Sequence, residues 1–223
     1  ATVRNLLIGT AIAESYGHCA KVGYTPDQFG LISQLPQVFR GFGIDNCVFG
    51  RGYVFPEQTP EGVTYRPGKP EFTWRAAAGT EVTAVLMPFW YNNAQRFSED
   101  IDKAYRMLGD IERSFEGLAC TPYLLLMNGV DHLEAQENLL PILQQLNQRL
   151  PAGKRIEQYN FERYIADFQA YVQRERLDLG SYEGEMRNGF NDMVLQGTLS
   201  SRVYLKQQNV KAQNQLSGYL EPL

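Results

Sequence analysis

The sequence predicts an α/β fold: a parallel sheet covered by helices on both faces, followed by the start of a helical bundle. Three observations predict it. Helical and strand patterns alternate along most of the chain, the run Tyr123-Leu124-Leu125-Leu126-Met127 is apolar without alternation, and strand signals stop at about Glu185. Strands separated by helices imply right-handed crossovers and parallel pairing. A strand with no polar alternation is one buried on both faces, as in the middle of such a sheet.

Residues 3–14 place Val3, Leu6, Leu7, Ala11 and Ile12 on one helical face, and Lys21 to Thr25 reads as a short strand stopped by Pro26. Ser33 to Gly41 could form a short helix carrying Leu35, Val38 and Phe39. Asn46 to Gly50 is then an apolar strand ending at Arg51-Gly52. Frequent Pro and Gly between Tyr53 and Lys69 indicate an irregular excursion, closer to a loop over a site than to a domain linker, and Glu81 to Phe89 is the next strand.

Ser98 is the expected N-cap of a helix with Glu99 and Asp100 in its first turn and Ile101, Ala104, Tyr105, Leu108 and Ile111 inside. Pro122 opens the central strand 123–127. A helix from Glu134 to Leu150 follows, then a strand from Arg155 to Tyr159, then a helix begun by Asn160 with Phe161, Tyr164, Ile165, Phe168 and Val172 inside. Val194 to Tyr219 reads as helical and rich in Gln and Asn. The boundary falls near residue 182, separating an α/β domain over 1–182 from the start of a bundle over 183–223.

Composition narrows the function classes. The 223 residues carry 21 Lys and Arg against 25 Asp and Glu, a net charge of -4, with no basic cluster on which a nucleic-acid surface could be built. No apolar run approaches the roughly 20 residues of a spanning helix, and no secretory signal pattern opens the chain, so a soluble, cytoplasmic protein is expected. Cys19, Cys47 and Cys120 are odd in number and lack metal-ligand spacing, which fits buried free thiols in a reducing compartment. The chain opens at Ala1 within a helical pattern, without an initiator Met, as an internal excerpt would.

Ligands bind open parallel sheets beyond the carboxyl ends of the strands. Asp27 follows one predicted strand end, Arg51 a second, and Asn128, Asp131 and His132 a third. Two carboxylates are the minimum kit for glycoside hydrolysis, one attacking or directing water and the other exchanging a proton with the glycosidic oxygen. Each residue also has a plainer reading. Asp27 after Pro26 could be a turn residue or helix cap, Asp131-His132 could cap the helix that follows, and Arg51 could pair with a surface acid. With only two histidines, His18 and His132, and no ligand spacing between them, the chain does not read as a self-contained zinc site. Phosphate loops and nucleophile elbows are absent from the sequence.

Four blocks carry a resemblance. They are Tyr24-Thr25-Pro26-Asp27-Gln28-Phe29-Gly30 with Ser33-Gln34-Leu35-Pro36-Gln37, Gly43-Ile44 with Arg51-Gly52, Leu125 with Met127-Asn128-Gly129-Val130-Asp131-His132, and Gly197 through Asn209. In this order they resemble bacterial-type α-mannosidases of glycoside hydrolase family 38. The resemblance implies a glycoside hydrolase/deacetylase-like sheet and a retaining enzyme that releases mannose from α-mannosides. It also implies that Asp27 is both the nucleophile and a ligand of one zinc ion, that Asp131 is the acid/base, and that Arg51 is a basic residue beside the nucleophile. The carboxyl groups of such a retaining pair stand about 5 Å apart.

The family's other zinc ligands, a His-x-Asp pair and a later His followed by Asp, match nothing here. The excerpt alone is therefore expected to be inactive and to hold no zinc tightly. Arg51, His132 and Tyr91 are the expected substrate-binding residues. Trp74 and Trp90 could add an aromatic wall or belong to the core. Ala78-Gly79-Thr80 replaces an Asp-Gly pair common in relatives and reads as a turn variation. The partner implied is an α-mannoside, without nucleic acid or membrane, and a homo-oligomer is left open. Competing readings are a carbohydrate-binding or structural module that has lost the chemistry, and a different metal-dependent hydrolase or deacetylase acting on sugars.

Overall fold

The computed structural model describes residues 1–66, 69–190 and 192–222. In chain order its elements are α1 (Thr2–Ser15), β1 (Tyr24–Thr25), α2 (Leu35–Gly41), β2 (Asn46–Phe49), β3 (Phe55–Thr59), β4 (Gly62–Arg66), β5 (Glu71–Arg75) and β6 (Glu81–Leu86). There follow α3 (Ile101–Phe115), α4 (Leu139–Arg149), α5 (Phe161–Glu175), β7 (Ser181–Glu183) and α6 (Val203–Gln215). A 3-10 turn over Gln196–Thr198 precedes α6 and a π turn over Leu216–Leu220 extends it.

The α/β class expected from the sequence is the class observed. Five strands form one sheet in the order β1-β2-β6-β5-β7, and β3 and β4 pair apart as a hairpin within the stretch expected to be irregular. β1, β2 and β6 run parallel, β5 runs antiparallel to β6, and β7 lies parallel to β5. The sheet is therefore mixed rather than purely parallel. A tight turn explains the reversal. Ala78-Gly79-Thr80 joins β5 directly to β6, Gly79 takes φ 78°, and the N–H of Ala76 donates to the Thr80 carbonyl at 2.8 Å.

Strand alternation divides the core. Cys47, Phe49, Ala84 and Leu86, with Phe72 and Trp74, pack with Leu35 and Phe39 of α2. Val48 and Val85 turn to the opposite face and meet Tyr164 and Ile165 of α5. Fully burying a side chain such as Phe49 contributes about 1.5–3 kcal/mol. A third cluster joins α3 to α4 through Leu108, Ile111, Phe115, Ile142, Leu143 and Leu146.

Two expected strands are not strands. Over 123–127, polar groups are met by Asn93, whose Oδ1 accepts from the Met127 N–H at 2.7 Å and whose Nδ2 donates to the Leu125 carbonyl at 3.0 Å. Over 155–159, Asn147 of α4 does the same for Ile156, at 2.9 and 2.8 Å. In both cases an asparagine side chain replaces a ladder partner.

Helix ends also moved. Asp100, not Ser98, caps α3: its Oδ1 accepts from the N–H groups of Asp102 and Lys103, while Ser98 Oγ accepts from Asp100 one turn earlier. α4 begins at Leu139 rather than Glu134, with Pro141 in its first turn, where a missing N–H costs least. Asn160 caps α5 as expected, accepting from the Arg163 N–H at 2.8 Å. On α1 only Leu6 packs against the core, whereas Val3, Leu7 and Ile12 are exposed, so the expected inner face of this helix is not covered. Among the described residues no helix is long and apolar enough to cross a membrane. All three cysteines are free thiols, Cys47 buried and the other two partly so.

Candidate active site

Parallel pairing brings three loops to one edge. β1, β2 and β6 share a direction, so the residues just past their ends, Asp27, Arg51 and Trp90-Tyr91, leave the sheet on the same side. Two glycines let β1 and β2 approach, Gly23 at the start of the pair and Gly50 where the loops leave it. A Cβ on Gly23 would stand 2.5 Å from the Asn46 carbonyl oxygen, and one on Gly50 would stand 2.1 Å from that of Pro26. The buried Asn46 side chain stitches the same seam, accepting from the Gly23 N–H at 3.1 Å and donating to the Lys21 carbonyl at 2.9 Å.

Arg51 is the centre of this edge. Its Nε donates to Oδ1 of Asp27 at 2.6 Å, Nη2 pairs with the same oxygen, and Nη1 donates to the Met193 carbonyl at 2.7 Å. Its guanidinium carbon lies 4.5 Å from the ring centre of Phe29 and 4.3 Å from that of Trp90. Oδ2 of Asp27 accepts no hydrogen bond among the described residues. One carboxylate oxygen is thus anchored and the other presented.

Tyr91 bonds the second carboxylate. Its hydroxyl donates to Oδ2 of Asp131 at 3.4 Å. Burial first, then the nearby charges of Asp27 and Asp131, push this phenol above its ordinary value. Tyr24 is raised in the same way, by burial and then by Tyr91 and Asp131. Asp131 reaches the edge because the chain before it is bound to the loop after β6: the Ala94 N–H donates to the Met127 carbonyl, and Asn128 Nδ2 to the Ala94 carbonyl at 2.8 Å.

The structure therefore gathers Asp27 with Arg51, and Tyr91 with Asp131. His132 stands beside Asp131, exposed, with left-handed backbone at φ 63°. Trp90, also left-handed at φ 69°, lies against Arg51, whereas Trp74 is fully buried core and donates to the Gly184 carbonyl at 3.1 Å. Sequence reasoning did not single out Phe29 or Met193 as partners of Arg51. Phe29 sits inside the first resemblance block, two residues from Asp27, but nothing in a sequence marks a backbone carbonyl as an anchor.

Of the zinc ligands that the resemblance implies, Asp27 is the one this chain carries. Among the described residues no group of three or more His, Cys, Asp or Glu side chains could hold a metal. Such a site needs further ligands than these.

An anchored carboxylate on the same edge as a second, tyrosine-bonded carboxylate is an arrangement that suits cleavage of a glycosidic bond. The sequence model of the glycosyl hydrolases family 38 N-terminal domain matches residues 1–185, and the chain belongs to that family. It is 34% identical, over 233 aligned residues, to a protein of Halalkalibacterium halodurans named "Putative mannosylglycerate hydrolase". That match takes in 100% of this chain and 25% of the relative. Among solved structures, an alpha-mannosidase from Enterococcus faecalis V583 superposes with a TM-score of 0.79 at 32% identity, over 96% of this chain and 24% of that one. A second Enterococcus faecalis protein of glycosyl hydrolase family 38 superposes at 0.67 and 26% identity, over 96% and 20%. The chain thus spans about a quarter of the length of these relatives.

Proposed function

We infer that this chain carries part of the active site of a retaining, zinc-dependent α-mannosidase that hydrolyses terminal α-linked mannose. The observation that carries the reading is the asymmetry of Asp27, with Oδ1 held by Arg51 and Oδ2 accepting no hydrogen bond among the described residues. In the proposed reaction Oδ2 attacks the anomeric carbon, a covalent glycosyl ester forms, and Asp131 gives its proton to the departing oxygen. Asp131 then takes a proton from the water that cleaves the ester, restoring both carboxyl groups. Arg51, Tyr91 and His132 border the sugar in this reading. A bound zinc would stabilise charge on sugar oxygens. Asp27 is its only donor proposed within these residues, the other ligands coming from elsewhere in the full-length protein.

The identity to a protein named as a mannosylglycerate hydrolase favours a second substrate, a mannoside with a glycerate aglycone, at the same site. Full-length enzyme assayed on aryl α-mannoside and on mannosylglycerate, with and without a chelator, separates these. Turnover of either that is abolished by chelator and by Asp27→Ala supports the inference. Turnover that survives the chelator removes zinc from it, and near-normal activity of Asp27→Ala removes the nucleophile. Sugar binding without turnover of any mannoside favours a module that has lost the chemistry.

A further inference from the structure

The chain just past the family-matched residues 1–185 folds back onto the loop that carries Arg51. Leu31 and Met186 exchange both main-chain hydrogen bonds at 2.9 Å, and the Asn188 N–H donates to the Gly52 carbonyl at 3.0 Å. Met186 is fully buried and Val194 is buried as well. Gly52 takes φ 91°, and a Cβ there would stand 2.3 Å from the Met186 carbonyl oxygen, so only glycine allows this approach. The returning segment ends by giving the Met193 carbonyl to Nη1 of Arg51 at 2.7 Å.

Asp192 sits close enough for the charge of Arg51 to lower its carboxyl pKa, although burial, the larger effect, raises it. The segment therefore brings a carbonyl to the cation that holds Asp27. Without an acceptor at Nη1, Arg51 would be fixed only by Asp27 and by the two ring faces. Stacking leaves a guanidinium free to turn in its own plane, whereas a hydrogen bond at its far end stops that rotation.

We propose that residues 186–190 and 192–194 form a positioning strap for the reaction: through the Met193 carbonyl they fix Arg51, and through Arg51 they aim Oδ2 of Asp27. The strap acts on the nucleophile through Arg51, and this rests on the reading of Asp27 as the nucleophile.

A backbone acceptor is tested by changing the backbone. In the full-length enzyme, nonsense suppression can place the α-hydroxy acid counterpart of valine at position 194, which converts the Met193 carbonyl to an ester carbonyl, a weaker acceptor, and alters no side chain. Because a misplaced reacting group loses rate rather than affinity, kcat on aryl α-mannoside should fall about tenfold, with KM within about twofold and an unchanged melting temperature. Gly52→Ala, which drives the strap off the loop, should lower kcat further with the same split. Wild-type kcat in the ester variant, or a loss confined to KM, overturns the strap. If wild-type enzyme turns over no mannoside, the nucleophile reading fails first and the strap falls with it. Should Gly52→Ala not fold, the ester variant still decides.

Discussion

Nε and Nη2 of Arg51 converge on a single oxygen of Asp27, Oδ1, instead of spanning the two oxygens of the carboxylate. The fork-to-fork geometry of an ordinary Arg–carboxylate pair would occupy both oxygens and leave none for attack. Arg51→Lys tests whether this shape matters. Lysine keeps the charge but has one donor head, which cannot serve Asp27 and the Met193 carbonyl together, and it loses the flat contact with Phe29 and Trp90. Loss of nucleophile aim should lower kcat of the full-length enzyme about 100-fold. A drop of less than twofold would show that charge alone suffices.

Gly50 makes a sharper geometric demand. Its missing Cβ leaves room for the Pro26 carbonyl, one residue before Asp27, and a methyl group would stand 2.1 Å from that oxygen. A backbone atom cannot swing aside as a side chain can, so Gly50→Ala must push the nucleophile loop away from β2. Activity should fall at least about 100-fold, and stability by about 1–3 kcal/mol from the strain of an overpacked site. Denaturant unfolding read beside kcat checks both, and normal kcat would show that the loop accommodates the methyl group without moving Asp27.

What was legible in the sequence was what local chemistry decides. α5 follows from Asn160 as its cap and from the spacing of Tyr164, Ile165 and Phe168, and β2 and β6 follow from short apolar runs. Asp27 and Arg51 follow the ends of the observed strands β1 and β2, whereas Asp131 follows the run 123–127, which is not a strand, and was singled out by its motif block. The misread elements depend on partners distant in sequence. The run 123–127 has a strand's composition, yet Asn93, some 30 residues earlier, takes its polar groups. β5 and β7 are recognisable only once their ladder exists, since Glu71 within β5 is a buried charge that strand patterns do not anticipate. The clamp on Arg51 joins Phe29, Trp90 and Met193 from three separate loops, and no spacing rule connects them.

Glu71 gives a pH prediction. Its side chain is 3% exposed, and Oε2 accepts from the Cys120 N–H at 2.8 Å. Burial raises its carboxyl pKa, an effect only partly offset by that hydrogen bond. With the folded value above the unfolded one, the folded state binds the proton more tightly. The resulting stability is full below the unfolded value, roughly pH 4.3, and is lost as pH rises through the folded value. Glu71→Gln keeps an acceptor for Cys120 and removes the titration. The stability difference between variant and wild type, measured by denaturant unfolding from acid to neutral pH, should shift in favour of the variant as pH rises. A difference independent of pH would mean that Glu71 titrates alike in both states. Glu71→Ala, which orphans the Cys120 N–H, should cost about 1–3 kcal/mol.

Asp131 and Tyr91 are best tested through the leaving group. A general acid matters in proportion to the need of the departing oxygen for a proton, so substrates of different leaving-group acidity separate protonation from binding. Methyl α-mannoside, whose methoxide is a poor leaving group, should lose about 10²–10⁴-fold in kcat/KM with Asp131→Asn. Dinitrophenyl α-mannoside, whose phenolate departs unprotonated, should lose far less in the same variant. Azide, a nucleophile that requires no base, should then restore its overall turnover. Tyr91→Phe keeps the ring against Trp90, at 4.7 Å between centres, and removes only the hydroxyl that donates to Asp131. One hydrogen bond of about 1 kcal/mol corresponds to a loss of roughly fivefold, again larger for the methyl glycoside if the hydroxyl acts by placing the acid. Equal losses on both substrates would make Asp131 a binding residue, and Tyr91 would then be a wall of the pocket.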